Sequence, residues 1–308
     1  MIDSRDQPDG ALDRQRIRRS FARAAAGYES VAALQREVES RLLEQCEALG
    51  DAIPQRLLDL GCGPGRAGTE LVTRWPRADL LSIDLALPML RLASHAQAWW
   101  QRAASGLRGH GLRAPVCADA VALPLVDASL DLIFASLCLQ WVFDLPRALI
   151  GINRILRPGG LLLFTTFGPD TLIELREAFA LADAGDPVLP FAPMQAVGNA
   201  LLAAGFRDPV LHREHFTLTY PEPRALMREL RTLGASNARV DRRRTLTGKT
   251  RMQRVFDALE SMRVDGVIPS TWEVIYAQAF APPPGQPLRE GDASIARFPA
   301  ASIPIRRR

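Results

Sequence analysis

Residues 57–66 read LLDLGCGPGR, from Leu57 through Asp59, Gly61, Gly63 and Gly65 to Arg66. An apolar run ends in an acid, and glycines then take alternate positions. The run predicts a buried strand, and the glycines let bare backbone turn sharply and come close to a ligand. Such a turn holds a nucleotide in several fold families. A phosphate-cradling P-loop needs Gly-Lys-Ser/Thr at its end. Here Gly65 is followed by Arg66 and Ala67, so that reading fails. A dinucleotide fingerprint needs G-x-G-x-x-G. The spacing Gly61, Gly63, Gly65, with Gly68 giving no better register, weakens a dinucleotide without excluding it.

Outward from the turn, strands are predicted at 56–60, 79–84, 114–118, 130–136 and 160–166. Helices are predicted between and after them at 66–75, 87–103, 145–157 and 171–184. Pro158-Gly159-Gly160 reads as the turn before the fifth strand. Further on come a helix at 193–204 stopped by Gly205, a strand at 212–220, helices at 222–234 and 249–263, and a last strand at 271–280. Before the turn, Phe21, Ala25, Tyr28, Val31, Leu34, Val38 and Leu42 recur at helical steps across 13–49. The alternation predicts an α/β fold: a doubly wound, seven-stranded, mostly parallel sheet covered on both faces, with helical N-terminal and lid additions. Residues 13–280 are expected to form one domain: a helical segment 13–49, a nucleotide-binding core 50–184 and lid and C-terminal elements 185–280. Residues 1–12 and the Pro/Arg-rich tail 281–308 are expected to be loose.

The chain has 308 residues, of which 47% are hydrophobic and 23% charged, enough for a sizeable core. The opening MIDSRDQPDGALDRQRIRRS has no apolar centre, so no secretory signal is expected. No run of about 18 apolar residues suggests a membrane span. Cys46, Cys62, Cys117 and Cys138 form no C-x-x-C pair, which fits a reducing compartment and a cytoplasmic protein. The net charge is +4, and Lys249 is the sole lysine. Residues 224–254 hold nine arginines and Lys249 against Glu229 and Asp241. That patch suits an acidic protein or a nucleic acid. RQRIRR at 14–19 adds a second basic stripe, and solvated helix faces are the plain alternative for both.

The remaining tenant for the turn is S-adenosylmethionine, whose methionine end is a zwitterion without phosphate. Asp59 is placed to meet its ammonium, directly or through water, while Gly61, Cys62, Gly63 and Gly65 bring the backbone close. Asp84, about twenty residues on at the end of the second strand, suits the two ribose hydroxyls, with Leu85 and Met89 beside it. Asp119, in PVCADAVALPL, suits the adenine amino group, with Ala120 next to it. Ser136 and Leu137, ending the fourth strand, face the methionine portion. Any one of these acids reads as well as a helix cap; four features in order point to the methyl donor.

The segments around those motifs carry a resemblance. SFARAAAGYESVAALQREV (20–38), SLCLQWVFDLPRAL (136–149), FTTFGPDTLIELREAF (164–179), TYPEPRALMRELRTLGASNA (219–238) and VDGVIPSTWEVIYAQAF (264–280) resemble the BioC family. These are class I S-adenosylmethionine-dependent malonyl-[acyl-carrier protein] O-methyltransferases of biotin synthesis. Much of the pattern also occurs in methyltransferase-like assembly factors of respiratory complex I, associated with hydroxylation of a protein arginine. Asp170 stands where a small residue is common in the first family, so the second remains an alternative. The resemblance implies methyl transfer to the free carboxylate of a malonyl thioester on acyl carrier protein. It also suggests that Arg242, Arg243 and Arg244 help receive an acidic carrier.

A carboxylate is ionised at neutral pH, with a pKa of about 4, so no general base is needed and no catalytic residue is assigned. Alignment of the reacting groups in a water-poor site is the expected source of rate. Arginine suits a carboxylate through its planar fork. Arg18, Arg23, Arg228 and Arg231 are candidates among which the sequence does not choose. Tyr28 is placed to close over the donor, Gln140 to hold substrate or donor carboxylate, and Trp141 to wall the pocket. His212 and His215 fall on opposite faces of a strand, and His95 and His110 read as surface residues, so no metal is assigned. Ser136-Leu137-Cys138-Leu139 stands where a nucleic-acid amine methyltransferase would carry an N-P-P-Y tetrad. A nucleic-acid substrate is therefore not expected.

Overall fold

The structure is a computed structural model that describes residues 12–94, 111–182, 188–242, 248–283, 288–290 and 293–295. Seven strands form its main sheet: β1 (Arg56–Leu60), β2 (Asp79–Asp84), β3 (Arg113–Cys117), β4 (Leu130–Ala135), β5 (Leu156–Phe167), β6 (Arg207–Tyr220) and β7 (Ile268–Phe280). Their order is β3-β2-β1-β4-β5-β7-β6. The first five run parallel, and β7 enters antiparallel between β5 and β6. The order in which successive strands join the sheet reverses between β1 and β4. That is the switch point where ligands of open α/β sheets bind, at the carboxyl ends of the strands.

Both faces of the sheet are buried, and residue parity shows it. Leu57, Leu132, Phe134, Leu161 and Leu163 pack on one side. Their neighbours Leu58, Ile133, Ala135, Leu162 and Phe164 pack on the other. Continuous apolar strands are what two covered faces require. One face is covered by α3 (Ala33–Glu44), α4 (Arg66–Arg74), α7 (Ile173–Leu181), α9 (Pro223–Thr232) and α10 (Lys249–Ser261). On the other lie α6 (Leu145–Ile155) and α8 (Met194–Ala203), and residues 87–94 form α5. No helix among the described residues is long and apolar enough to cross a membrane. The four cysteines are unpaired.

Three expectations need correction. The helical pattern over 13–49 is broken into α1 (Arg14–Ala24), α2 (Tyr28–Val31), α3 and a 3₁₀ turn at Gln45–Leu49. The first break falls at Gly27, where an added Cβ would sit 3.2 Å from the Thr232 methyl. The chain bends there because α9 is in the way, which periodicity does not reveal. Pro158-Gly159-Gly160 lies inside β5 as an irregularity: Leu130 pairs with Leu156 and Leu132 with Leu161, and Gly159 donates to Ala281. β6 begins five residues earlier than the expected 212, because β7 offers a ladder that continues to Arg207. In the tail, Leu288–Glu290 (β8) and Ala293–Ile295 (β9) pair antiparallel. Residues 1–11 and 296–308 lie outside the described residues.

Candidate active site

The glycine turn occupies the carboxyl end of β1. Gly61 has φ +72°, and a side chain there would meet the Cys138 sulfur at 2.4 Å. Gly65, with φ +90°, would drive a Cβ to 2.7 Å from Ala93 on α5. Both positions need glycine for backbone conformation and for space. The amides of Gly61 and Cys62 donate to the Ile83 carbonyl at 2.7 and 3.0 Å. Asp84 completes the clamp: its Oδ2 accepts from Gly63 N–H at 3.0 Å and its Oδ1 from Ala86 N–H at 2.7 Å. The turn is thereby tied to the end of β2. Burial raises the Asp84 pKa, and these backbone donors oppose the rise.

A cavity of about 390 Å³ opens above this clamp. Gly61, Gly63, Asp84, Leu85, Met89, Asp119, Ala120, Ser136, Leu137, Tyr28 and Trp141 all line it. Asp119 Oδ1 accepts from Val121 N–H at 3.0 Å, and its Oδ2 pairs with Arg14 on α1. Leu137 adopts a left-handed φ of +46° at the rim. Its N–H is held by Thr165 Oγ1 at 2.9 Å and its carbonyl by Gln140 Nε2 at 2.7 Å. Burial pushes the Tyr28 phenol above its ordinary range, with Glu39, Glu29 and Asp84 adding to the effect. It therefore stays neutral.

Other expected residues stand back from this cavity. Asp59 lies beneath the turn, 2% exposed, with Oδ2 buried and unpartnered. Burial, reinforced by Glu39, holds its pKa well above the carboxylate range. Cys62 packs away from the cavity with Leu90 and Ala93, and Gly65 faces α5. Gln140 spends its amide on Leu137 and lines neither cavity. Below the turn, Arg66 Nε donates to Glu39 Oε1 at 2.7 Å. Burial nevertheless pushes Glu39 up to about 7.

A second cleft, about 1340 Å³, meets the first at Trp141, which lines both. Phe21 of α1 packs edge-on against Trp141, with centroids 5.2 Å apart. The cleft is lined by apolar groups including Phe167, Leu175, Phe179, Met227 and Trp272. Phe167 lies 5.2 Å from Trp272, centroid to centroid. Arg16, Arg23, Arg231, Arg239, Arg242 and Arg251 also line it. Of the four expected carboxylate holders, Arg23 and Arg231 are therefore in the cleft. Arg18 lines no cavity described here, and Arg228 is solvent-exposed and pairs with Glu222 at 3.0 Å. Arg243 and Arg244 lie outside the described residues, as do His95 and His110.

His212 stacks on Tyr276 at 4.8 Å, while His215 Nε2 lies 3.1 Å from Asp170 Oδ2. Asp170, His215 and Glu273 cluster with ligand atoms within 4.8 Å of one another. Glu273 is already engaged there by Asp170 N–H and Arg213.

The donor set fits a cationic nucleoside. The cavity wall carries Asp84, Asp119, Asp144 and Tyr28, with Arg14 and Arg147 beside the acids, Asp59 lies below with Oδ2 unpartnered, and the Gly61–Gly63 backbone is bare. Comparison with known proteins narrows this further. The methyltransferase domain family matches residues 58–164. A malonyl-[acyl-carrier protein] O-methyltransferase of Xylella fastidiosa is 50% identical over 97% of this chain and 99% of its own length. Its counterpart in Gallionella capsiferriformans is 41% identical over 92% and 96%. The chain belongs to the malonyl-[acyl-carrier protein] O-methyltransferase family. Two solved structures share the methyltransferase fold at low identity. The SpnF [4+2]-cyclase has TM-score 0.55 at 21% identity, covering 90% of this chain and 98% of that one. The YcgJ protein of Bacillus subtilis has TM-score 0.53 at 14%, covering 79% and 98%. A cyclase on the same scaffold shows that fold alone does not name the reaction. Nothing in these comparisons favours the arginine-hydroxylase alternative.

As a methyltransferase, the chain carries site residues that its motifs did not reveal. Arg14 reaches Asp119 from the far end of the chain, and Thr165 holds Leu137 from the adjoining strand. Phe21 showed only as a member of a helical stripe. The cleft lining is assembled from β5, α7, α9, α10 and β7, and no local spacing signals that convergence.

Proposed function

We propose that this chain transfers a methyl group from S-adenosylmethionine to the free carboxylate of a malonyl thioester on acyl carrier protein. The ester masks a charge, so that chain-elongating enzymes would accept the product in an early step of biotin synthesis. One observation carries the reading: an acid-lined cavity at the glycine turn meets a larger, arginine-bearing cleft at Trp141. Residues 13–280 act as one catalytic domain, and the unpaired thiols suit the cytoplasm.

S-adenosylmethionine would supply an electrophilic methyl group. Asp84 and Asp119 would hold its sugar and base, and the glycine turn with Ser136 and Leu137 its amino-acid end. Asp59, beneath the turn, would offer its unpartnered Oδ2 only to a group that reaches below the glycines. The carboxylate of the acceptor is already ionised, so the protein supplies position and a dry setting in place of a base. Phe21, Tyr28 and Trp141 exclude water at the junction. Arg231 is the preferred carboxylate holder. It lines the cleft on α9 next to Thr232, which abuts Gly27 at the α1–α2 corner, and its guanidinium has no partner among the described residues. Arg23 stands nearby with Nε engaged by the Arg19 carbonyl at 3.2 Å. Replacing Arg231 with Gln should raise KM for the malonyl acceptor about tenfold or more and leave the donor Kd unchanged, one charge-assisted contact being lost. Arg228→Gln is the control, with a change under twofold.

The basic segment 224–254 supports an acidic carrier as partner over a nucleic acid, because the aromatic pairs among the described residues of the adjoining cleft are tilted or edge-on and present no stacked platform for bases. The deciding experiment mixes purified protein, labelled S-adenosylmethionine and malonyl-carrier protein. A base-labile methyl ester is expected. Absence of ester with every malonyl thioester tried would overturn the reading.

A further inference from the structure

Along α1 the cleft meets solvent amid guanidinium groups other than that of Arg231, the preferred carboxylate holder. Arg16, Arg19, Arg23 and Arg242 line a concavity of about 490 Å³ together with Asp13, Gln15 and Ala22. Arg16, Arg23 and Arg242 also line the acceptor cleft, so the two spaces join through these side chains. Their partners are mostly neutral. Arg16 Nε donates to the Asn237 carbonyl at 2.9 Å, Arg23 Nε to the Arg19 carbonyl, and Arg242 Nη1 to the Arg239 carbonyl at 2.6 Å. Among the described residues lining the concavity, Asp13 is the one carboxylate; it lies 3.4 Å from Arg242 Nη2, and its Oδ1 also caps α1 through Arg16 N–H. Burial lowers the Arg16 pKa, Arg242 and Arg23 lower it further, and Asp13 opposes them. Among the described residues that line the concavity, four cations thus face one acid.

We propose that Arg16, Arg19, Arg23 and Arg242 bind the phosphate ester of the acceptor's thiol arm. The inference rests on the thioester acceptor proposed above. Carrier proteins and coenzyme A present acyl groups on the same pantetheine arm, which ends in a phosphate ester in both. Guanidinium forks match phosphate oxygens in pairs. An apolar cleft for the arm's stem with arginines at its border fits such a group. Free malonate, which lacks the arm, would place no phosphate there.

The test compares malonyl-pantetheine, malonyl-4′-phosphopantetheine, malonyl-coenzyme A and malonyl-carrier protein as acceptors for the full-length protein. The phosphate should lower KM about tenfold between the first two. That ratio should fall below threefold in Arg19→Gln and in Arg242→Gln; Arg19 is solvent-exposed and donates no side-chain bond to the described residues, so its variant should fold. Because the readout is a ratio, a general loss of activity does not mimic it. Coenzyme A matching the carrier would make the phosphate they share the recognised group, and a carrier advantage that Arg19→Gln and Arg242→Gln remove at high salt would assign it to the carrier's diester. Calorimetry with unacylated 4′-phosphopantetheine against pantetheine reads the site without catalysis. Tighter binding of the phosphorylated arm with no methylation of any thioester would overturn the proposed reaction and keep the site. Equal binding of the two arms, an unchanged ratio in both variants, or preferential binding of a random oligonucleotide would overturn the site.

Discussion

At Asp84 one carboxylate receives two backbone amides and still borders the cavity. Each oxygen keeps a lone pair for a ligand hydroxyl. Asp84→Asn retains one acceptor and puts an N–H donor opposite a backbone N–H. Donor Kd, measured by calorimetry, should rise at least tenfold, with a smaller loss of stability. Glu39 makes an opposite case. Its pKa of about 7 lies above the ordinary value because burial outweighs the Arg66 ion pair, with Glu29 and Glu70 adding to the rise. A carboxyl raised on folding contributes stability below its unfolded pKa of about 4.3, and that contribution is lost as pH climbs through its folded value. Glu39→Gln, which cannot ionise, should therefore melt about 2–4 °C above the parent at pH 8. The gap should close toward pH 5; a constant or inverted gap would show that the Arg66 pair dominates. Asp84 and Asp119 were legible because strand-end acids after a glycine turn follow from chain order. Arg14 and Thr165 were not, because their partners are distant in sequence.

Elements were legible where one period governs them. β1, β2 and β4 read directly from apolar runs buried on both faces, and the α4 start follows from Gly65. The N-terminal helices were only half legible. Their apolar stripe is real, yet Gly27 and Ala32 interrupt it because the segment must wrap the cavity and meet α9. Propensity gives no warning of such a tertiary demand. The α4–α5 contact offers a test of geometry at this scale. Gly65→Ala meets both a left-handed φ and a Cβ 2.7 Å from Ala93. It should destabilise the protein by roughly 2–4 kcal/mol in denaturant titration, strain and overpacking adding together. Donor binding should weaken even where the protein remains folded. Retained stability and affinity would mean that α5 yields without cost.

Across the whole molecule, a small cavity for a charged nucleoside and a long apolar cleft share one aromatic wall at Trp141. Basic residues gather on the cleft side, in α1, α9 and α10. Association with an acidic carrier should then be steered by charge and weakened by salt. Raising ionic strength from about 0.05 to 0.3 M should increase KM for malonyl-carrier protein several-fold more than for malonyl-pantetheine. Parallel changes for both substrates would remove the steering argument.

The placement of β7 has a consequence for synthesis on the ribosome. β6 precedes β7 in the chain, yet it joins the sheet only through β7. Until residues 268–280 emerge, β5 keeps a bare edge and the fourteen-residue β6 has no ladder to enter. The nascent polypeptide therefore carries two unprotected strand edges from the emergence of β6 until that of β7, an interval of exposure in which a chaperone has something definite to shield.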